Sequence, residues 1–373
     1  MKPFKHQEKF IKDYSGSNIL VHEGGTGKTV CACLWLKDKK DQDALVVCPK
    51  RVVNKWIATL KEWGTQATVL SKEQFKKTPI RQYSAIVLDE ADEFASPLFV
   101  KGRSQLTTHM YKLIKERPAP ILLLTATPIR SNPWNLHTLL TFSGKYIDWK
   151  LWRDRFFKLE KLPYLPRPAY IPVKNWRTLI RQTLERYSDI VLLKDCVGEL
   201  PPITEYKINV KTHIPKDAVI ENFFDEHRLE QVNKVPEILK IAKEYRKVMV
   251  VAYYTDEIDR LQKELSKDRP TFAIRGGVKD QEDIIKQAQE ADECFFIVQS
   301  SLGAGFDGDQ FSAIIFSSTG YSVRDWVQMK FRVRRIHNLH PVAFYYLLGG
   351  RCDKAVIHNL EMGKDFIPSE WVV

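Results

Sequence analysis

Cysteine is scarce in this chain. Six stand among 373 residues, at Cys31, Cys33, Cys48, Cys196, Cys294 and Cys352, and none forms a CxxC pair. That scatter argues against a disulfide scaffold and against a zinc site, and it fits a reducing intracellular compartment. Cys31, Cys48 and Cys294 lie in apolar runs and read as small core residues. Long hydrophobic runs are also missing. The longest, such as Ile121-Leu122-Leu123-Leu124, suit buried strands and fall far short of a membrane span. The opening residues Met1-Lys2-Pro3-Phe4-Lys5-His6-Gln7 carry no apolar signal region, so a cytoplasmic location is expected. No repeat by identity and no low-complexity tract is visible. Acidic residues are outnumbered: 46 Asp and Glu against 58 Lys and Arg give a net charge of +12. An isoelectric point near 9.2 favours a polyanionic partner, the alternative being that the charge serves solubility alone.

What is present is alternation. Apolar runs at 44–48, 85–88 and 121–124 are separated by amphipathic stretches at 51–63 and 104–116. A second alternating region runs from about 205 to the end, with strands expected at 248–251, 271–274, 294–298, 313–316 and 342–348. Near-continuous apolar strands between helices predict parallel sheets covered on both faces. The fold class is α/β, in two domains: 1–200 and 205–373. Within the first, 145–187 stands out, with eleven Lys and Arg against four Asp and Glu. Trp149, Trp152, Phe156, Phe157, Tyr164, Tyr170 and Trp176 are interleaved with that charge, and Pro163, Pro166, Pro168 and Pro172 break it. It reads as a helical excursion with a proline-rich turn. Either its basic and aromatic residues, Arg153, Arg155 and Lys158 among them, meet nucleic acid, or the rings pack inward while the charges face water.

The most informative stretch is Val21-His22-Glu23-Gly24-Gly25-Thr26-Gly27-Lys28-Thr29. It follows the apolar run Asn18-Ile19-Leu20-Val21 and precedes a helix-like run from Val30 to Leu36. Strand, glycine-rich loop, Gly-Lys-Thr and helix is the context of a phosphate-binding loop. The glycines let backbone N–H groups curl around a polyphosphate, and the helix N-terminus faces the same anion. Lys28 is expected on the β- and γ-phosphates and the Thr29 hydroxyl on magnesium. His22 stands where such loops usually begin with Gly or Ala. The alternative is an ordinary glycine turn.

Leu88-Asp89-Glu90-Ala91-Asp92 closes an apolar strand. Acidic residues at the carboxyl end of a parallel strand face the ligand crevice. Asp89 is placed to hold magnesium, through water, and Glu90 to orient and deprotonate an attacking water. Thr125 and Thr127, in Leu124-Thr125-Ala126-Thr127-Pro128, also follow a strand and are placed to sense the phosphate end and relay it. On a helix, Gln328, Arg332 and Arg335 share one face. Such arginines can offset transition-state charge, and alone they would read as a solvated basic face.

These motifs, in this order, resemble the superfamily two helicase and translocase core. The resemblance implies two RecA-like domains, each a mainly parallel sheet flanked by helices, with ATP in the cleft between them. Glu23 to Thr29 looks like motif I, with Glu23, Gly24, Gly25, Thr26, Gly27, Lys28 and Thr29 on the nucleotide. Asp89 to Asp92 looks like motif II and Thr125 to Thr127 like motif III. Ser301 to Asp307 looks like motif V, placing Gly305 and Asp307 near the nucleotide, and Gln328 to Arg335 like motif VI. Gln7 sits where the adenine-reading glutamine lies. The segment Cys48-Pro49-Lys50-Arg51-Val52-Val53-Asn54-Lys55-Trp56 is similar to motif Ia of the Swi/Snf-like branch, with Lys50 and Arg51 expected on nucleic acid. Thr125 to Ile129, Leu192 to Pro202 and Arg335 to Asn338 point to the same branch. Phe331 in place of the usual glycine, a compressed motif V and the Asp-Glu-Ala-Asp form of motif II depart from it. The resemblance implies a compact bacterial or phage enzyme that hydrolyses ATP with Mg2+ and moves on double-stranded DNA. The rivals are an RNA helicase of the Asp-Glu-Ala-Asp kind and an ATP-switched nucleic-acid clamp with little turnover.

Overall fold

The computed structural model describes residues 2–14, 16–39, 43–98, 103–129, 132–161, 167–197, 202–212, 218–302, 306–333 and 340–368. The chain divides into two compact units, Met1–Gly198 and Glu199–Val373.

In the first unit, strands β1 (Asn18–His22), β2 (Ala44–Cys48), β3 (Thr68–Ser71), β4 (Ala85–Asp89) and β5 (Ile121–Thr125) alternate with helices. The helices are α1 (Lys5–Asp13), α2 (Lys28–Asp38), α3 (Val53–Glu62), α4 (Lys72–Lys77), α5 (Gln105–Glu116) and α6 (Trp134–Phe142). With β8 (Asp189–Val191), the strands form a six-stranded sheet in the order β3-β2-β4-β5-β1-β8, and every pairing is parallel. Successive side chains of a strand point to opposite faces. Ile19, Leu45, Val47, Ile86, Leu88 and Leu123 therefore pack on one face, with Met110, Leu139 and Phe142 of α5 and α6. Leu20, Val46, Val87 and Leu124 pack on the other, with Phe10, Cys31, Trp35 and Trp56 of α1 to α3. Two covered faces explain why these strands read as unbroken apolar runs.

The 145–187 segment is less helical than its sequence predicts. It holds α7 (Trp149–Phe156), an antiparallel pair β6 (Phe157–Glu160) and β7 (Ala169–Pro172), and α8 (Trp176–Tyr187). Proline cannot continue a helix; of the four expected to break the segment, Pro168 precedes β7 and Pro172 closes it, while Pro163 and Pro166 lie outside the described residues. Residues 162–166 lie outside the described set. Trp152, Phe156 and Phe157 are buried in the core of the first unit. For these three rings, inward packing is what the structure has. Tyr146 and Tyr170 remain exposed.

The second unit begins with β9 (Ile203–Asn209) and continues with β10 (Lys247–Ala252), β11 (Thr271–Ile274), β12 (Cys294–Gln299), β13 (Ala313–Phe316) and β14 (Val342–Leu348). Their order is β11-β12-β10-β13-β14-β9, again parallel throughout. Apolar clusters again cover both faces, one around Met249, Phe296 and Phe344, the other around Val250, Ile297 and Ile315. Each unit is thus a parallel sheet flanked by helices, as the alternation predicts. Among the described residues no helix is long and apolar enough to cross a membrane.

Candidate nucleotide site

The loop after β1 is shaped by two left-handed glycines, Gly25 at φ 84° and Gly27 at φ 82°. A side chain at either would be strained. Gly27 is also the residue before the first turn of α2, and its carbonyl accepts from Val30 and Cys31. The opening turn of a helix carries N–H groups outside the regular backbone ladder, which makes such an N-terminus receptive to an anion. Lys28 follows. Its ammonium donates to the His22 and Glu23 carbonyls at 2.7 and 3.1 Å, so it arches back over the loop. Gln7 is buried, and its amide donates to the Thr26 and Gly27 carbonyls at 3.5 and 3.3 Å. A Cβ built on Gly27 would come within 2.5 Å of that amide nitrogen. The glutamine expected to read adenine is thus seated against the loop expected to hold phosphate.

Strand order brings the other motifs to the same edge. β4, β5 and β1 are neighbours, and the register pairs Asp89 with Leu124 and Thr125 with Val21. The carboxyl ends of the three strands therefore lie level. Strands two apart stand roughly 10 Å from each other, the span of a triphosphate and its metal. Asp89 is held from two sides: Trp56 donates its indole N–H at 2.9 Å, and the Glu90 N–H donates at 3.0 Å. A carboxylate accepts more bonds than these two, so Asp89 keeps capacity for a metal-bound water. Glu90 adopts φ 50° and ψ 56°, the left-handed region that a non-glycine residue rarely occupies. Such strain collects at functional positions. Asp92 is buried and accepts from the Thr125 hydroxyl at 3.2 Å; that hydroxyl in turn accepts from the Thr127 N–H at 3.0 Å. The second and third motifs are therefore one hydrogen-bonded unit.

Two contacts tie the loop to the end of this unit. Glu23 accepts from the Leu193 N–H at 2.7 Å, and the Glu23 N–H donates to the Val191 carbonyl. His22 is fully buried, with Nε2 at 2.7 Å from an Asp189 oxygen. Burial pushes its pKa below the usual imidazole range, against the pull of Asp189.

The remaining expected residues are placed elsewhere. Lys50 and Arg51 form a tight turn after β2, the strand beside β4. Arg153 stacks between Trp149 and Tyr170 and pairs with Asp154, while Lys158 pairs with Glu160. Arg155 is exposed. Gln328 and Arg332 do share a helix, Val323–Val333, in the second unit, and Gln328 is buried. The Arg332 guanidinium donates to the Phe306 carbonyl at 3.0 Å, and its own carbonyl accepts from Gly308. The Asp307 carbonyl accepts from Gln289. Gly305 and Arg335 lie outside the described residues. Trp56, Asp92, Asp189 and Leu193 take parts that motif reading did not assign, because each acts through a partner distant in the chain.

No family model matches this chain. It is 26% identical over 168 residues to the uncharacterized ATP-dependent helicase YqhH of Bacillus subtilis (strain 168). In sequence, this chain is similar to an ATP-dependent helicase. The match covers 37% of this chain and 29% of that protein. A solved Sulfolobus solfataricus SWI2/SNF2 ATPase core in complex with dsDNA is 15% identical, with coverage of 99% of this chain and 94% of its own and a TM-score of 0.46.

Proposed function

We propose that this chain is an ATP-dependent nucleic-acid motor of the Swi/Snf-like branch, hydrolysing ATP to ADP and phosphate and moving on double-stranded DNA. The observation that carries the reading is the shared carboxyl edge of β1, β5 and β4, which gathers Lys28, Thr125 and Asp89 from distant parts of the chain. Similarity to a helicase supports it. In this reading the domains are a helicase ATP-binding domain, 1–200, and a helicase C-terminal domain, 205–373, in a cytoplasmic protein.

The residues at the edge fit a magnesium nucleotide. The left-handed glycines and the N-terminus of α2 suit a polyphosphate, and Lys28 exchanges its carbonyl partners for phosphate oxygens. Thr29 and Asp89, oriented by Trp56, hold the metal. Bound magnesium would neutralise charge on the β- and γ-phosphates. Glu90 takes a proton from the attacking water. Gln7 reads the adenine. Asp92 and Thr125 carry the change at the phosphate to the Thr127 backbone. Gln328, Arg332 and Arg335, as motif VI, stabilise the charge that develops on the transferring phosphate. Lys50, Arg51, Arg155 and Lys158 meet the nucleic-acid backbone, in keeping with the +12 charge.

Steady-state hydrolysis measured with no nucleic acid, duplex DNA, single-stranded DNA and RNA tests the assignment. Duplex DNA is expected to stimulate most. Stronger stimulation by RNA would favour the RNA-helicase rival, and no turnover with any of them would favour the clamp.

A further inference from the structure

Next to the phosphate loop lies a group of nitrogen and sulfur donors that ATP chemistry does not use. His6 comes from α1, His22 from the end of β1 and Cys31 from α2. One donor atom from each lies within 4.8 Å of the others. The Cys196 sulfur, on the short helix Leu193–Val197, stands 3.9 Å from His6 Nε2, the nitrogen that faces the Thr26 carbonyl.

The protonation pattern suits a cation. The His6 Nε2 contacts the Thr26 carbonyl at 2.9 Å, and a carbonyl only accepts, so Nε2 carries the proton. His22 Nε2 faces the Asp189 carboxylate at 2.7 Å and is protonated for the same reason. Both rings then have Nδ1 as their basic nitrogen. In His22, which is 0% exposed, Nδ1 has no hydrogen-bond partner among the described residues. A buried acceptor left idle is costly. A histidine that gives its other N–H to a carboxylate is the usual support of a metal-binding imidazole. A second cluster, Glu226, Glu230 and Cys352, lacks this feature. Both of its carboxylates are already engaged, Glu226 by Arg351 and Glu230 by the N–H groups of Cys352 and Asp353.

We propose that His6, His22 and Cys31 form a site for a soft divalent cation of the zinc class, with water completing its coordination. Imidazole and thiolate together select such ions over magnesium. Tetrahedral zinc sets its ligand atoms about 3.5 Å apart, given metal–ligand bonds of about 2.0 to 2.3 Å. The donors therefore close by about an ångström, within reach of side-chain rotation. Binding displaces the Cys31 thiol proton, so affinity rises with pH. The scatter of cysteines argued against zinc because spacing detects only ligands close in sequence. Here the three donors come from three separate segments. The ion would pin α1, which carries Gln7, against the end of β1 and the phosphate loop.

Cobalt(II) titration of the full chain tests this without ATP, so its outcome is independent of the nucleotide reading. One equivalent is expected to give a thiolate-to-cobalt charge-transfer band in the near ultraviolet and an intense tetrahedral visible spectrum, both abolished by zinc. Cys31→Ser should remove the charge-transfer band or sharply reduce it. His6→Ala should weaken affinity at least tenfold. Cys294→Ser, in the other unit, should change neither. Absence of the band in the parent chain overturns the proposal, as does a spectrum and affinity unchanged in His6→Ala. If Cys31→Ser fails to fold by circular dichroism, His6→Ala, whose side chain is only half-buried, decides alone.

Discussion

Gly27→Ala is the perturbation whose size the structure fixes best. Two costs arise. The backbone at Gly27 is left-handed, φ 82°, and a Cβ there costs about 1–2 kcal/mol. The new methyl would also stand 2.5 Å from Gln7 Nε2. That atom ends a flexible side chain, so the clash is relieved by swinging it away. Gln7 is not free to move without loss, however. Its oxygen accepts from the Phe4 N–H at 2.9 Å, and its amide holds the Thr26 and Gly27 carbonyls. Losing these long bonds costs about 1 kcal/mol more. The sum, about 2–3 kcal/mol, falls on the loop conformation and on the adenine reader together. It corresponds to a 30- to 150-fold weaker ATP affinity. Titration of a fluorescent ATP analogue measures it. A double-mutant cycle separates the two costs. In a Gln7→Ala background, Gly27→Ala should cost only the backbone part, leaving a coupling near 1 kcal/mol. Parent-like affinity in Gly27→Ala would refute the reasoning. Full additivity would refute the contact.

Trp56→Phe keeps a buried ring but removes the indole N–H that holds Asp89. A hydrogen bond to a charged group contributes about 1.5–3 kcal/mol, so the magnesium concentration for half-maximal hydrolysis should rise roughly tenfold or more; an unchanged magnesium dependence would detach Asp89 from the metal. Glu90→Gln should bind ATP as the parent does and lose turnover by about a hundredfold or more; lost binding in that variant would make Glu90 structural. In the second unit, burial alone would raise the pKa of Asp353, but Lys234 and His227 outweigh it and hold the carboxyl down to about 2. Its folded value lies below its unfolded one, so its stabilisation is present above about pH 4 and lost as pH falls toward 2. Urea unfolding across that window should show the parent losing about 2 kcal/mol more than Asp353→Asn; equal losses would refute this.

Much of the fold was legible because its signals are local. The runs at 44–48, 121–124 and 342–348 are buried on both faces, and parallel strands so buried are continuous in their apolarity. The edge strands were harder. Thr68–Ser71, Asp189–Val191 and Ile203–Asn209 are edge strands, with an exposed or half-buried pattern that leaves no apolar run to detect. The hairpin within 145–187 was read as helix for the same reason: its strands span four residues each. At the candidate site, the loop, Asp89 and Thr125 were legible as strand ends. The contacts that hold them were not. Trp56 reaches Asp89 across 33 positions, Asp189 reaches His22 across 167 and Leu193 reaches Glu23 across 170. Periodicity and spacing carry no information about partners that far apart, and only the sheet order brings them together.

The central claim is that the loop after β1 holds the phosphates of a hydrolysed nucleotide, with Lys28 as their main charge partner. Its most direct test is hydrolysis of ATP by the parent and by Lys28→Ala, in the same buffer, with magnesium and saturating duplex DNA. Lys28 donates to two loop carbonyls that water can replace, so the variant should fold as the parent does. The account predicts measurable phosphate release by the parent and none above background by the variant. Release by Lys28→Ala at near the parent rate would contradict it.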